Sequence, residues 1–389
     1  MAEPATTEQV LAELERLVAF DTTSHRSNLE LIAHVERLLD AHGIAHERVV
    51  DSSGSKANLI ARIGPPVPGG VVLAAHTDCV PVTGQPWTTD PFSVVRSDGR
   101  LQGRGVADMK GFLAVVLASL PRLAAAQLLR PVLLVLTYDE EVGTIGAPSA
   151  VDRLLATQPR PGAVIVGEPT NLEPVTAHKG VRAFATSVEG RDGHSSQPQH
   201  AANAIAALVR VATYIDDLAT RHREAAADPR FTPPHTTFNL ATIRGGQAIN
   251  IVPRYAELTW EYRPVPADDS TAIVDEVAAF AEARVLPRLR ATTGHGLITF
   301  QPTAIARGLE AEPSGEAERL VRRMTGCDQP SGTVPFGTDG GHFQAAGLST
   351  VVWGPGGIEQ AHQADEWIEI EQLETCASVV ARLTDELSN

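Results

Sequence analysis

The chain has 389 residues, more than a single hydrophobic core organises, so two domains are expected. Its composition, 43% hydrophobic and 20% charged, is that of a globular protein, and no uncharged apolar run reaches the ~20 residues that a membrane-spanning helix needs. The net charge of −15 excludes the basic surface that nucleic acid requires and mildly favours cationic ligands, although the same charge also serves solubility.

The N-terminal stretch places apolar residues among charged ones at helical spacing, without a basic region leading into an apolar one, so no signal peptide is expected. It predicts a helix over 7–18, and a second over 28–41 with Asn28 as its N-cap. Short apolar runs bounded by turn residues follow at 58–63, 71–75, 131–137 and 163–167, with a helix over 111–123 between two of them. Continuous apolar strands with intervening helices indicate an α/β sheet buried on both faces. From Gly180 the pattern changes to strand 181–190, helix 203–218, strands 238–244 and 256–263, helix 271–289 and strand 297–307. That order is the strand-helix-strand-strand-helix-strand of a ferredoxin-like unit. A strand over 349–353 and a helix over 371–387 close the chain, and 225–234 reads as a mobile loop. The expected organisation is a catalytic α/β domain over 1–181 and 308–389, interrupted by an inserted α+β domain over 182–307. The three cysteines, Cys79, Cys327 and Cys376, have no regular spacing, which points to a reducing, cytoplasmic setting rather than to disulfides. Cys79 reads as a packed, small apolar residue.

In an open α/β sheet, functional groups gather beyond the carboxyl ends of the strands. His76 and Asp78 follow one apolar run, Glu140 and Glu141 the next, and Glu168 a third. His362 lies beyond the run at 349–353, and Asp108 stands between a Gly-rich segment and a helix. Singly, each has an ordinary reading: a loop histidine, a solvated acidic turn, a helix N-cap. Jointly, those readings put several charges at one sheet edge, where uncompensated burial costs several kcal/mol per charge, roughly. Bound cations remove that cost. Two imidazoles and three carboxylates suit zinc, with cobalt or manganese as substitutes. One histidine and one terminal carboxylate for each ion, with Asp108 shared, divides the set evenly. Asp78 is placed to accept the other ring N–H of His76.

These residues lie in HTDCVP at 76–81, GRGVADMKG at 103–111, DEEVGTIGA at 139–147, GEPT at 167–170, GRDGHSSQP at 190–198 and GPGGIEQAHQADE at 354–366. In this order the motifs resemble the metallopeptidase family M20, and within it the branch that deacetylates N2-acetyl-L-ornithine. The resemblance implies a zinc-peptidase-like mixed-sheet domain with an inserted ferredoxin-like dimerisation, or lid, domain. It implies two divalent ions, zinc foremost and cobalt as a substitute, with His76 and Glu168 on one, Glu141 and His362 on the other, and Asp108 bridging. Glu140 becomes the general base and Asp78 the orienting carboxylate, and the peptide bond after Asp108 is expected to be cis. His194, which alone reads as a turn residue before Ser196, becomes an oxyanion donor reaching into a partner subunit of a homodimer. Asn250 becomes a substrate contact across that dimer, against its plain reading in a Gly-rich hairpin. Arg263, otherwise an exposed strand end, becomes the ligand of a substrate carboxylate. Gly337, Thr338 and Asp339 resemble a substrate loop, with Asp339 where the deacetylases are expected to carry glutamate. The implied reaction is hydrolysis of an N-acyl amino acid, N2-acetyl-L-ornithine to ornithine and acetate in arginine biosynthesis. The alternatives are desuccinylation of a diaminopimelate derivative, cleavage of a small peptide by a carboxypeptidase, and a metal-binding dimer without catalysis.

Overall fold

In this computed structural model, residues 3–225 and 228–388 are described. Two residues of the stretch read as a mobile loop, 226 and 227, therefore lie outside the described residues. The chain divides into two compact units, one of Met1–Ala177, Leu309–Gly332 and Thr338–Asn389, the other of His178–Gly308 and Thr333–Gly337.

The first unit is built on a large mixed sheet. Its spatial order begins Ala45–Val50, Ala57–Ile63, Val132–Thr137, Val71–His76, Ala163–Val166, Thr350–Val352. The central strands are buried along their whole length, as their unbroken apolar sequences require. Val71–His76 pairs in parallel with Val132–Thr137 on one side and with Ala163–Val166 on the other. The register sets His76 beside Thr137, so the chain segments after both strands leave the sheet together. Thr350–Val352 extends the parallel set, while Ala57–Ile63 runs antiparallel to Val132–Thr137. The expected mixed α/β architecture is therefore present.

Helix Thr7–Ala19 opens with a capping box between Thr6 and Gln9. Helix Leu29–Ala41 starts where expected, but Asn28 makes no side-chain cap. It turns instead to the sheet: its Nδ2 donates to the Ala57 carbonyl at 2.8 Å and to Thr77 Oγ1 at 2.9 Å, and its Oδ1 accepts from the Ala57 N–H at 3.0 Å. The helix expected over 111–123 is two helices, Lys110–Ala118 and Leu120–Ala125. Pro121 has no N–H and collides with a preceding carbonyl, so the chain breaks at Ser119.

The second unit carries an antiparallel sheet ordered Thr237–Gly245, Tyr255–Arg263, Val181–Glu189, Leu297–Ala306. In chain order this is 2-3-1-4, the ferredoxin-like arrangement. Its core centres on Phe184, Trp260 and Tyr262, whose rings stack 5.3 to 6.1 Å apart. The long second helix of the pattern is Ser270–Phe280 followed by a π-turn, Ala281–Val285, and a short helix, Leu286–Arg290.

Candidate metal centre

The carboxyl ends of the parallel strands deliver the expected residues to one place. Asp108 stands at the middle. Its Oδ1 lies 3.0 Å from His76 Nε2 and its Oδ2 lies 3.1 Å from His362 Nε2, so each oxygen addresses a different imidazole. Glu168 Oε1 is 3.8 Å from His76 Nε2, and Glu141 Oε2 is 2.9 Å from His362 Nε2. Two groups result, His76–Asp108–Glu168 and Asp108–Glu141–His362, the ligand atoms of each lying within 4.8 Å of one another. They share Asp108. The His76 side chain is 1% exposed, whereas that of His362 is 49% exposed.

Local sequence explains the close approach. A Cβ on Gly167, just before Glu168, would fall 2.0 Å from the Phe112 ring, so only glycine fits there. The Asp108–Met109 peptide bond is cis.

Asp78 behaves differently from its reading in the sequence. His76 Nδ1 donates to the Asp78 backbone carbonyl at 3.0 Å, and the nearer carboxylate oxygen lies 3.7 Å from it. The backbone carbonyl, not the carboxylate, therefore sets the His76 tautomer. The carboxylate instead accepts from Glu140 N–H at 3.1 Å, Glu141 N–H at 3.3 Å and Ser24 Oγ at 2.7 Å. Lys56 completes this support by donating to the Ser24 carbonyl and to Asp139, whose φ of 54° turns the chain before Glu140. Ser24 and Lys56 have no signal in the sequence: each lies in a polar run outside any motif.

The electrostatics show what the pocket asks for. Burial pushes Glu140 and Glu168 well above the usual carboxylate range, reinforced for Glu140 by the charge of Glu168 and for Glu168 by that of Asp108. Burial likewise lifts Glu141 to about 7 and Asp339 to about 6. Burial also opposes ionisation of Asp108, but the hydrogen bonds from His362 and His76 outweigh it and hold Asp108 well below the usual range. His362 is raised to about 10 by its bonds to Asp108 and Glu141. His76 is raised well above its usual value because Glu168 and Asp108 overcome its burial. The carboxylates around both imidazoles thus favour positive charge at each position. Glu141 Oε1 is buried without a hydrogen-bond partner, a state that costs ~1–3 kcal/mol unless a positive ligand meets it. Two imidazoles and three carboxylates arranged in this way fit two divalent ions.

The remaining expected residues fall in two places. Thr338 and Asp339 belong to the first unit and are buried, at 0% and 3% exposure. Asp339 Oδ2 accepts from Thr137 Oγ1 at 2.6 Å, at the strand end that leads to Glu140. Gly337 falls in the second unit, as do His194, Asn250 and Arg263. His194 and Asn250 are exposed and adjacent, with Ser195 N–H donating to the Asn250 carbonyl at 3.0 Å. His194 Nδ1 meets Ser196 Oγ at 2.7 Å. Arg263 Nε donates to Glu261 at 3.2 Å. Burial, and then the charge of Arg263, lowers the pKa of Lys179, so these two cations share one region of the second unit.

A mixed sheet that gathers acidic and imidazole groups beyond the carboxyl ends of its parallel strands, in a chain that also carries a ferredoxin-like unit, defines a class of metallo-hydrolases. Residues 72–386 match the model of Peptidase family M20/M25/M40. An acetylornithine deacetylase of Myxococcus xanthus is 37% identical over 95% of this chain and 95% of its own length. One from Proteus mirabilis (strain HI4320) is 34% identical over 94% and 92%. Among solved structures, a metallo-carboxypeptidase of family M20 from Sulfolobus solfataricus superposes with a TM-score of 0.73 at 17% identity, over 98% of this chain and 99% of that one. The chain belongs to the M20 peptidase family and is a metallo-hydrolase. No described helix is long and apolar enough to cross a membrane.

Proposed function

We propose that this protein hydrolyses the amide bond of an N-acyl amino acid, N2-acetyl-L-ornithine, releasing acetate and ornithine as a step of arginine biosynthesis in the cytoplasm. The observation that carries the hydrolytic reading is Asp108, with one oxygen 3.0 Å from His76 and the other 3.1 Å from His362. The names of the relatives at 34–37% identity support the acyl substrate.

In this reading His76 and Glu168 hold one divalent ion, Glu141 and His362 the other, and Asp108 bridges them; zinc suits the donor set, and cobalt can replace it. Two such ions supply Lewis acidity and lower the pKa of water at the site. Glu140 accepts the proton of the attacking water at a carboxylate oxygen and returns it to the leaving amine. Asp78 holds Glu140 and Glu141 in place through their backbone N–H groups. His194 donates to the oxyanion formed at the substrate carbonyl. Asn250 contacts the substrate beside it, and Arg263 offers its planar fork to the substrate carboxylate. Gly337, Thr338 and Asp339 line the substrate loop.

The inserted domain is the dimerisation and lid domain of this reading. Its edge strand Thr237–Gly245 carries exposed Leu240 and Ile243, at 40% and 56%, and the second unit also exposes Val209 at 46% and Ile249 at 101%. An exposed apolar edge strand needs a cover, and a second copy of the chain supplies one. His194 and Asn250 then serve the partner's site.

The test is a steady-state assay of the metal-loaded protein on N2-acetyl-L-ornithine, N-succinyl-diaminopimelate and a small dipeptide. The highest kcat/KM is expected for acetylornithine. A preference for the succinyl compound or the dipeptide would overturn the substrate but keep the metal chemistry.

A further inference from the structure

The loops that carry His362 and Asp108 leave the same end of a small antiparallel sheet. Trp367–Glu369 pairs with Arg100–Gln102, with Trp367 opposite Gln102. The pairing continues one residue further, where Gly103 N–H donates to the Glu366 carbonyl at 2.9 Å. There the Glu366 side chain turns into the Asp108 loop. Its Oε1 accepts from Ala107 N–H at 2.9 Å and Asp108 N–H at 3.1 Å; its Oε2 accepts from Gly105 N–H at 3.0 Å and Arg104 Nη1 at 2.7 Å. The side chains of Arg104 and Glu366 are each 1% exposed.

The other arm of Arg104 reaches the second loop. Its Nη2 donates to Gln85 Oε1, and Gln85 Nε2 donates to the His362 carbonyl at 2.9 Å. Trp87 holds this arm from two sides: its Nε1 donates to Gln85 Oε1 at 2.9 Å, and its ring lies 5.0 Å from the Arg104 guanidinium carbon. An unbroken path of hydrogen bonds therefore runs from Asp108 N–H through Glu366, Arg104 and Gln85 to the His362 carbonyl. His362 has need of such a path. Its ring is half exposed, and its backbone holds a left-handed φ of 61°, which a non-glycine residue keeps only where its surroundings impose it. His76, by contrast, is fixed by its strand and by the Asp78 carbonyl.

We propose that Glu366, Arg104 and Gln85 form a positioning clamp that sets His362 against Asp108 and so tunes ion affinity above all at the Asp108–Glu141–His362 site. The inference rests on the two-ion reading above. None of the three residues is a ligand in that reading. They act by holding ligand backbone, as outer partners of metal sites do, and loss of such a partner typically costs about 10–100-fold in affinity. Glue that merely stabilised the fold would weaken both ion sites alike.

The experiment is equilibrium dialysis of the full chain against zinc or cobalt, reading both dissociation constants. His362→Ala supplies the signature of loss at that site. Gln85→Ala, which acts on the His362 loop, is expected to weaken the same ion by about 10-fold with the other ion's constant unchanged; Glu366→Gln, whose side chain also holds the shared Asp108, is expected to weaken that ion by about 10–100-fold and the other ion less. Raising the metal concentration should restore the Gln85→Ala activity. Gln85 is partly exposed, so this variant decides the matter even where Glu366→Gln fails to fold. Unchanged constants in Gln85→Ala, or equal weakening of both ions, would overturn the clamp. A wild-type chain that binds two ions in either of those cases leaves the two-ion reading standing; a wild-type chain that binds fewer than two sinks both.

Discussion

In the proposed mechanism Glu140 and Glu141 are neighbours with different tasks, and the backbone makes the division. Past a strand end, successive side chains diverge, so one carboxylate reaches His362 while the other stays free for water. The Asp78 carboxylate accepts from both N–H groups and so fixes both directions together. Glu140→Gln should lower kcat by about 10²–10⁴-fold with the metal content unchanged. Retention of more than about a tenth of normal turnover, well short of a general base's usual contribution, would remove Glu140 from that role. A second prediction concerns protons. His362 is raised to about 10, so at pH 7.5 its imidazole carries a proton that an ion must displace, and His76 is raised in the same direction by Glu168 and Asp108. Ion binding is therefore expected to release at least one proton, and apparent affinity at the His362 site should rise with pH towards 10. Calorimetry in buffers of different ionisation enthalpy measures the release; binding without proton release would contradict the assigned ligands. At this scale the five proposed ligands were legible because each follows an apolar run or a Gly-rich turn. Ser24 and Lys56 were not, because their role comes from folding alone. The hydrogen bond of His76 to a carbonyl rather than to the Asp78 carboxylate was equally hidden, since backbone acceptors leave no trace in side-chain spacing.

Asn28 shows how an element's start can serve the sheet more than the helix. With its amide bonded to Ala57 and Thr77, it ties the first turn of Leu29–Ala41 to two strands. Asn28→Ala leaves the buried Ala57 N–H and carbonyl without their Asn28 partner, while Thr77 Oγ1 keeps its bond to the Thr137 carbonyl, and a loss of about 2–3 kcal/mol is expected for the first unit. Urea unfolding of the metal-free protein measures it, and no loss would show that these bonds contribute nothing net. The element pattern is legible where periodicity and burial agree, as in Val71–His76 and Val132–Thr137. It merged Lys110–Ala118 with Leu120–Ala125 because apolar residues continue through Ser119, and only Pro121 marks the break. Glu316–Thr325 was within reach: Ala317, Leu320, Val321 and Met324 follow helical spacing, and Gly326 ends the helix with a φ of 71°. The short strands Arg100–Gln102 and Trp367–Glu369 were out of reach, since three residues carry no period. Yet that pair brings Glu366 to the Asp108 loop.

For the whole molecule, the ferredoxin-like order is legible in the succession of its strands and helices, whereas the proposed pairing of copies rests on exposed apolar residues such as Leu240, Ile243 and Ile249, which follow no motif. Ile243→Lys should dissociate the proposed dimer and abolish turnover together, as sedimentation and assay would show; a fully active monomer would contradict the shared site. The same proposal predicts complementation. His194→Ala and Glu140→Gln chains are each inactive alone, but random mixed dimers contain one intact site and should regain about a quarter of wild-type activity. No recovery would confine His194 to its own subunit or to the turn it forms with Ser196. The central claim is that Asp108 holds two divalent ions, one with each histidine. The direct measurement is the number of ions bound per chain in wild-type protein and in Asp108→Ala and His362→Ala. The account predicts two ions in the wild type, one in His362→Ala and none held tightly by Asp108→Ala; a wild type that binds a single ion, or an Asp108→Ala chain that keeps both, would contradict it.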